Sequence, residues 1–280
     1  DELETLLAAD NEPPVVTFAA LPGLAERPAE AAATPYSPIG FRSAGGDPAS
    51  VVAASGGLVR VQDEGSQLAA LALARAVPVR AGEKWLDLCA APGGKTAVLA
   101  AEALAHGASL EANELSPARA GLVRDSVAAI PLPVPVSEED GRTRAAHGRY
   151  DRILVDAPCT GLGALRRRPE ARWRKQPADV PELAALQAEL LAAAFDALTP
   201  GGIVAYVTCS PHLAETAAVV SEALRTLGDR VEELDARAVV AALSSAPIDL
   251  AAPADGSGRA QLWPHRHGTD AMSISLLRRR

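Results

Sequence analysis

The stretch WLDLCAAPGGKTAVLA, residues 85–100, constrains the possible folds of this chain more than any other part of it. It predicts a short apolar strand, a tight turn of small residues and the first turns of a helix. Further apolar runs follow at 109–113, 151–158 and 202–210, with helical patterns between them, and a further helix is expected from Pro211. Strands that alternate with helices in this way predict an α/β fold with a doubly wound, mostly parallel sheet.

Two parts of the chain differ in composition. Residues 1–77 are rich in Pro, Gly and Ala, which predicts a small N-terminal α/β region. Residues 78–280 carry the strand and helix alternation and form the predicted main domain. Within it, LPVPV at 132–136 is a weak candidate strand because of its prolines. The late segments VEELDA and MSISLLRR are expected to pair and close the sheet.

Composition and charge exclude several classes of protein. Hydrophobic residues make up 48% of the chain and aromatic residues only 3%, so the core must be aliphatic. The net charge of −8 argues against a general nucleic-acid coat but permits a local basic patch. No apolar run approaches a membrane span, and the acidic N-terminus without a signal core or an initiator Met is expected to belong to a longer chain. Three cysteines without a C-x-x-C pair predict a reducing cytoplasm, no disulfide framework and no metal site.

The turn at 89–95 differs by one residue from the phosphate-binding loop G-x-x-x-x-G-K-[ST], because Cys89 stands where the first Gly is required. The strand RILVD supports a phosphate loop, since its final Asp156 suits a magnesium-holding strand. Pro92 weighs against it, because this residue removes an N–H from the middle of the loop. The alternative ligand is S-adenosylmethionine, which has no phosphate and needs close backbone approach at this turn.

A ligand with a ribose also needs an acid after the second strand to hold its hydroxyls, as in dinucleotide folds. Glu114 directly follows SLEAN at 109–113 and is in that position. The other interpretation of Glu114 is a solvated charge near the helix start at Ser116. Asp140 in EEDG has, from its own surroundings in the sequence, only the pattern of an ordinary acidic turn.

Two cysteines follow the fourth and fifth strands. Cys159 ends Asp156-Ala157-Pro158-Cys159, and Cys209 lies in TCSP. Neighbouring parallel strands would bring both thiols to one edge of the sheet, where a following helix N-terminus lowers a thiol pKa. Taken singly, each cysteine would be interpreted as a small buried hydrophobe. As a pair beside Asp156 they indicate reactivity.

A methyl donor and a thiolate together suit the alkylation of a pyrimidine at carbon 5. This carbon is a poor nucleophile until a thiolate adds to carbon 6, after which it can attack a sulfonium methyl group. Asp156 is the candidate for holding the base at N3 and N4. A second thiol could serve the release of the product.

These residues resemble one family closely. The chain is similar to bacterial RNA cytosine-5 methyltransferases of the Sun/RsmB (Fmu) type, of an actinobacterial kind that lacks the NusB-like N-terminal domain. The resemblance rests on matching segments that cover most of residues 60–280 in order: VQDEGSQLAALAL, LDLCAAPGGKT, ANELSPAR, EDGR, DRILVDAPCTGLGALRRRPEARWR, VTCS and WPHRHGTDAM. Glu114 and the segment DAMSIS depart from the family pattern, which has Asp and an aromatic-containing segment there.

The resemblance implies a Rossmann-like methyltransferase domain that uses S-adenosylmethionine to methylate RNA. Ribosomal RNA is the expected substrate, transfer RNA remains open, and residues 1–77 become a candidate RNA-binding accessory. It implies that Cys209 is the nucleophile, that Cys159 assists product release and that Asp156 and Lys95 complete the catalytic set. It also implies a set of residues around S-adenosylmethionine, which are Cys89, Ala90, Ala91, Pro92, Gly93, Gly94, Lys95, Glu114, Arg119, Asp140 and Asp156.

A basic segment, ALRRRPEARWRK at 164–175, directly follows the Asp156–Cys159 segment and carries six basic residues against Glu170. A solvated loop is the usual role of such a charge run, but its place beside the predicted site favours phosphate contacts. Trp173 is either a base-stacking residue or a structural one. The candidate RNA contacts are Arg166, Arg167, Arg168, Arg172 and Arg174.

Two rival functions remain at this point. One is a phosphate-loop NTPase, and the other is a catalytically inactive methyltransferase fold that binds RNA. The presence of both thiols and Asp156 favours the active methyltransferase.

Overall fold

The structure is a computed structural model that describes residues 2–280. Its strands are β1 (Thr17–Ala20), β2 (Gly40–Arg42), β3 (Val59–Val61), β4 (Lys84–Asp87), β5 (Ser109–Asn113), β6 (Val136–Ser137), β7 (Tyr150–Asp156), β8 (Leu198–Thr208), β9 (Val231–Leu234), β10 (Ala260–Gln261) and β11 (Ser273–Arg279). Its helices are α1 (Leu3–Ala9), α2 (Pro48–Ala54), α3 (Glu64–Arg75), α4 (Gly94–His106), α5 (Pro117–Val127), α6 (Gly141–Arg144), α7 (Ala171–Arg174), α8 (Asp179–Asp196), α9 (Ala217–Leu227), α10 (Ala236–Leu243) and α11 (Pro264–His267).

The large sheet has eight strands, seven of them in the order β10-β11-β8-β7-β4-β5-β6, with β9 also paired to β11. Strands β4 to β8 run parallel, and β11 joins antiparallel to β8. The predicted pairing of the two late segments is confirmed, since Leu276 of β11 lies opposite Leu234 of β9. Strand order reverses at β4, and ligand sites in open α/β sheets lie at the carboxyl ends of the strands near such a reversal.

Helices cover both faces of this sheet because its central strands are apolar on both sides. Along β7, Leu154 faces a cluster formed with α3, α4 and α10, whereas Ile153 and Val155 face a cluster formed with α8 and α9. Successive side chains of β7 point to opposite faces of the sheet, so this one strand contributes to the apolar clusters on both faces. The predicted doubly wound α/β class is confirmed.

The N-terminal part forms a small antiparallel sheet in the order β2-β1-β3, with its own apolar cluster around Phe18 and Phe41. Helix α3 lies before residue 77 in the chain, yet its apolar side packs in the main core with α4. The domain boundary at 77 stays a prediction, and this packing groups α3 with the large sheet.

Three local predictions differ from the structure. The segment 132–136 contributes only Val136 to a strand, because Pro133 and Pro135 have no N–H to donate to a neighbour. Strand β8 begins at Leu198, earlier than the predicted 202, and a register shift against β7 accommodates Gly201 and Gly202. The helix expected from Pro211 begins at Ala217, after a 3-10 turn at Leu213–Glu215. Across residues 2–280, none of the helices combines the length and apolar character that a membrane crossing requires.

Candidate active site

The turn after β4 packs tightly against α5, and this packing requires glycine. Gly93 has a φ of 104°, and a Cβ at this position would lie 2.5 Å from the Cβ of Ser126. The Ser126 hydroxyl donates to the Pro92 carbonyl at 3.0 Å. The left-handed conformation and the contact with α5 therefore both exclude a larger residue here. Helix α4 starts at the next residue, Gly94, with its N-terminus at the carboxyl edge of the sheet.

Glu114 is buried at the end of β5 and holds this turn in place. Its carboxylate accepts N–H donors from Ala91 at 3.3 Å and Ser116 at 3.1 Å. Arg119 lies 3.5 Å from the same carboxylate and donates to the Ala91 carbonyl at 3.4 Å. Glu114 and Arg119, both predicted to line the cofactor site, thus meet the predicted loop residues through Ala91.

Asp87 is a second buried acid at this edge, and the sequence reasoning assigned it no role. It accepts a hydrogen bond from the Thr96 hydroxyl at 2.7 Å, while its other oxygen, Oδ1, has no partner. Burial raises the pKa of Asp87 to about 7, with Asp156 and Glu114 adding to the rise. An acid within the apolar strand WLDL was the sequence signal that could have identified it.

Asp140 lies at the start of α6, where its side chain accepts from the backbone N–H of Arg142 at 2.9 Å. Hydrogen bonds from the Arg142 side chain and backbone lower the pKa of Asp140 to about 2. Asn113 joins the same edge, since its amide donates to the carbonyls of Leu88 at 3.2 Å and Glu139 at 3.0 Å. The acids that follow β4, β5 and β6 therefore share one rim.

The two thiols expected to meet do so. The Sγ atoms of Cys159 and Cys209 are 3.5 Å apart, at the ends of neighbouring strands β7 and β8. The hydrogen bond from Cys159 lowers the pKa of Cys209, against the effects of burial and of Asp156, and Lys95 contributes in the same direction. That same contact, together with burial, raises the pKa of Cys159. Cys209 is therefore the better thiolate of the two.

Lys95 and Asp156 form an ion pair beside these thiols, with Nζ and Oδ2 2.8 Å apart. Their side chains are 10% and 24% exposed, so the carboxylate keeps an open side. Burial alone would lower the pKa of Lys95, but attraction to Asp156 holds it above its usual value. Lys95 is thus a cation in a fixed position, and its charge attracts both the Asp156 carboxylate and a Cys209 thiolate.

Cys89 is different, because burial and then the charges of Asp87, Asp156 and Glu114 raise its thiol pKa. Its neighbours Ala90 and Ala91 are buried with Val123 of α5. The predicted loop residues Cys89 to Gly94 therefore lie together in one turn, and the surroundings of Cys89 disfavour its thiolate.

The basic segment divides into two groups. Arg167 binds the buried Asp270, and Arg166 lies 3.9 Å from both Asp63 and Asp270. Burial, followed by repulsion from Asp270, raises the pKa of Asp63 to about 6. Arg172 donates to the Asp10 carbonyl, at 2.7 Å. The remaining predicted RNA contacts, Arg168 and Arg174, are exposed, and so are Arg172 and, at 41% of its side chain, Arg167.

A family model described as "16S rRNA methyltransferase RsmB/F" matches residues 74–278. The chain belongs to this RsmB/F methyltransferase family. The Mycobacterium tuberculosis protein MT1451 is 49% identical over 287 residues, which cover 99% of this chain and 60% of that protein. Ribosomal RNA small subunit methyltransferase B of Serratia proteamaculans is 39% identical over 63% of this chain and 41% of its own. The chain therefore spans less than two thirds of the length of each of these relatives.

Solved structures agree with the RsmB/F fold. The crystal structure of PH0851 superposes with a TM-score of 0.84 at 26% identity, over 99% of this chain and 62% of that one. A methyltransferase homolog from Pyrococcus horikoshii superposes with a TM-score of 0.78 at 23% identity, over 100% of this chain and 91% of that one. The expected family and the Rossmann-like methyltransferase fold are confirmed.

Membership of the RsmB/F family also confirms S-adenosylmethionine as the expected cofactor, and the residues present fit it. The turn at Gly93 permits close backbone approach, and acids at positions 114 and 140 follow β5 and β6. The unpartnered Oδ1 of Asp87 adds a free acceptor behind the turn. Residues 2–280 contain no group of three or more side chains arranged to hold a metal ion.

Proposed function

We propose that this chain methylates carbon 5 of a cytosine in RNA, through a covalent bond between Cys209 and the base. The observation that carries the proposal is the contact of 3.5 Å between the Cys159 and Cys209 thiols, with the pair of Lys95 and Asp156 beside them. The family description and the names of relatives support ribosomal RNA rather than transfer RNA as the substrate.

The difference in thiol pKa supports the division of roles between the two cysteines that the resemblance implies. Cys209, whose thiolate is favoured by the hydrogen bond from Cys159 and by Lys95, adds to carbon 6 of the cytosine. Carbon 5 then becomes nucleophilic, and S-adenosylmethionine supplies the methyl group that it takes. After carbon 5 loses its proton to solvent at the open rim, the bond from carbon 6 to Cys209 breaks. Cys159 assists this release by donating its S–H to the departing sulfur.

Asp156 is placed to hold the base while Cys209 attacks it. Its open side can accept a hydrogen bond from the exocyclic amino group of cytosine. The ring N3 gains a proton as Cys209 adds to carbon 6, and the protonated N3 then also donates to Asp156. Lys95 fixes the other oxygen of Asp156 at 2.8 Å and thereby limits its rotation. The sum of these contacts favours cytosine over a base that lacks the amino group.

The RNA itself is proposed to lie across the exposed part of the basic segment. Trp173 is 83% exposed on α7, which favours base stacking over a structural role for this residue. Arg172 and Arg174 flank it in sequence and are also exposed, as is Arg168. The exposed indole of Trp173 can stack on an unpaired base, while the neighbouring arginine side chains contact phosphate groups of the RNA. Arg166 and Arg167 have internal carboxylate partners and are assigned to the support of this surface.

The experiment that tests the proposal traps the covalent step. Cys159→Ala, incubated with S-adenosylmethionine and transcribed small-subunit ribosomal RNA, is expected to accumulate an RNA–protein adduct that survives a denaturing gel. The physical reason is that release loses its S–H donor, whereas attack by Cys209 is retained. The adduct should be absent in the double variant Cys159→Ala, Cys209→Ala.

Two results would reject the proposal. Wild-type protein that binds the RNA but transfers no methyl group would favour the inactive RNA-binding fold. Calorimetry that detects Mg-ATP binding and no S-adenosylmethionine binding would favour the phosphate-loop NTPase.

A further inference from the structure

Glu215 is a carboxylate that lies behind the two cysteines and not in the open site. It ends the 3-10 turn Leu213–Glu215 and is 0% exposed. Its Oε1 accepts from the backbone N–H of Thr160 at 2.8 Å and the side-chain amide of Gln187 at 3.2 Å. Its Oε2 accepts from the hydroxyls of Thr160 at 2.5 Å and Ser210 at 2.6 Å. One carboxylate therefore binds the residue that follows each reactive cysteine.

Two further side chains fix Glu215 itself. Gln187 of α8 also donates to the Pro158 carbonyl at 2.9 Å, which precedes the first cysteine. The Tyr206 hydroxyl on β8 donates to the Glu215 carbonyl at 2.7 Å and to the Gln187 side-chain oxygen at 3.1 Å. The ends of β7 and β8 and the helix α8 thus meet at a single buried group.

The partners of the Glu215 carboxylate are neutral donors, which is unusual for a buried charge. Taking a carboxylate out of water without a cation is costly even when hydrogen bonds satisfy it. Stability alone therefore gives little reason for a charge here. The charge does act on the thiols, because it adds to the contact with Cys209 and to burial in raising the pKa of Cys159. A proton kept on Cys159 is the one that it donates to Cys209.

We propose that Glu215 is a positioning residue for the thiol pair, which holds Cys159 and Cys209 in contact through the residues that follow them. This role rests on the proposed function insofar as the thiols act in methyl transfer. The geometry itself can be tested without RNA or cofactor.

Phenylarsine oxide measures whether the two thiols lie together, because it forms two As–S bonds with two thiols and releases one water. In a Cys89→Ala background, Cys159 and Cys209 are the two remaining cysteines of the chain. Glu215→Ala is expected to raise the dissociation constant of the arsenical by at least about tenfold, because the second As–S bond depends on the effective concentration of its thiol. Mass spectrometry of the bridged peptides and titration of free thiols give the readout.

Two other variants separate positioning from folding. Glu215→Gln should keep arsenical binding within about threefold of the parent, since the Thr160 and Ser210 hydroxyls can turn to accept from the amide. If Glu215→Ala does not fold, Thr160→Val with Ser210→Ala removes both hydroxyl donors and should weaken binding in the same way. Glu64→Ala is the matched control, because it removes a buried carboxylate that binds the backbone N–H groups of Tyr36 and Ser37.

Methyl transfer supplies the second readout, with the native Cys89 in place. Glu215→Ala should lower kcat by about 100-fold, the scale on which small displacements of reacting groups act, while the dissociation constant of S-adenosylmethionine stays within about twofold. Glu215→Gln should recover the lost kcat in part, because it restores the hydrogen bonds but not the charge that keeps the proton on Cys159. A folded Glu215→Ala protein that binds the arsenical as tightly as its parent would overturn the inference. Wild-type protein that bridges the arsenical but never methylates RNA would instead reject the proposed function alone.

Discussion

Cys89 and Cys209 both follow parallel strands of the same sheet, yet their surroundings are opposite in effect. Cys89 lies among Asp87, Glu114 and apolar side chains, and burial with these negative charges raises its pKa. Cys209 receives a hydrogen bond from Cys159 and faces Lys95, and its pKa is lowered. The end of a strand places a cysteine at the edge of the sheet. Its thiol becomes reactive only where a neighbouring hydrogen-bond donor and a cation stabilise the thiolate.

The largest expected difference between the two thiols is in methyl transfer. Cys209→Ala should lower the rate at least about 1,000-fold, because the covalent step loses its nucleophile. Cys89→Ala should keep the rate within about tenfold, since it removes a packed sulfur and no reacting group. Transfer of labelled methyl groups to small-subunit ribosomal RNA measures both rates.

Circular dichroism and S-adenosylmethionine binding of each variant provide the control, because either substitution could act through folding or through the cofactor turn. The comparison fails if Cys209→Ala methylates as fast as wild type, or if Cys89→Ala is the inactive variant in a correctly folded protein.

A smaller effect is expected from Lys95, whose removal tests how much of the difference between Cys89 and Cys209 comes from this cation. Lys95→Met removes the cation that faces Cys209 and leaves Asp156 unpaired, and both changes disfavour the thiolate. The pH profile for alkylation of Cys209 by iodoacetamide should therefore move to higher pH, by about one unit. Peptide mass spectrometry resolves Cys209 from the other two cysteines.

Lys84→Met is a suitable control, because Lys84 is exposed at the opposite end of β4 and should leave the profile where it was. Alkylation of Cys209 that follows the same pH profile in Lys95→Met and in wild type would show that this cation does not set its reactivity.

Much of the fold and the list of rim residues could be predicted from the sequence. Alternating strands and helices gave the parallel sheet, and the endings of β7 and β8 placed Cys159 and Cys209 together because neighbouring parallel strands end at one edge. The chemistry of the pair followed from residue types, and the resemblance decided between the two thiols. These inferences depend on local pattern and on topology, both of which the sequence carries.

Long-range partners could not be predicted in this way. Glu215 has the pattern of a solvated charge in PHLAET, and only the folded chain brings it to Thr160 and Gln187, 55 and 28 residues away. The basic segment posed the same problem, because the arginine pattern does not reveal that Arg167 binds Asp270 across 103 residues. Tertiary packing decides which distant residues become hydrogen-bond or ion-pair partners. Secondary-structure propensity and the spacing of residues in the sequence do not reveal them.

The smallest predicted effect concerns stability around Cys89. Asp87, one of the charges that raise its pKa, has a carboxyl pKa of about 7 in the folded protein, against 3.8 as its ordinary value. The folded state keeps this proton while the unfolded state loses it, so the free energy of unfolding falls as pH rises from about 4 to about 7. The variant Asp87→Asn has no carboxyl group at this position, so its free energy of unfolding does not fall with pH for this reason. One pKa unit corresponds to about 1.4 kcal/mol, so the variant should gain at least that much on wild type between pH 5 and pH 8.

Urea unfolding of both proteins at about pH 5 and about pH 8, without cofactor, measures this gain, and the other titrating groups cancel in the difference. Asp229→Asn serves as the control, because Asp229 is exposed and its replacement should give the same difference at both values. A stability difference between Asp87→Asn and wild type that does not change with pH would mean that Asp87 is ionised in the folded protein like any exposed acid. An ionised Asp87 would add its charge at neutral pH to those of Asp156 and Glu114 against a Cys89 thiolate, and the contrast with Cys209 would be larger.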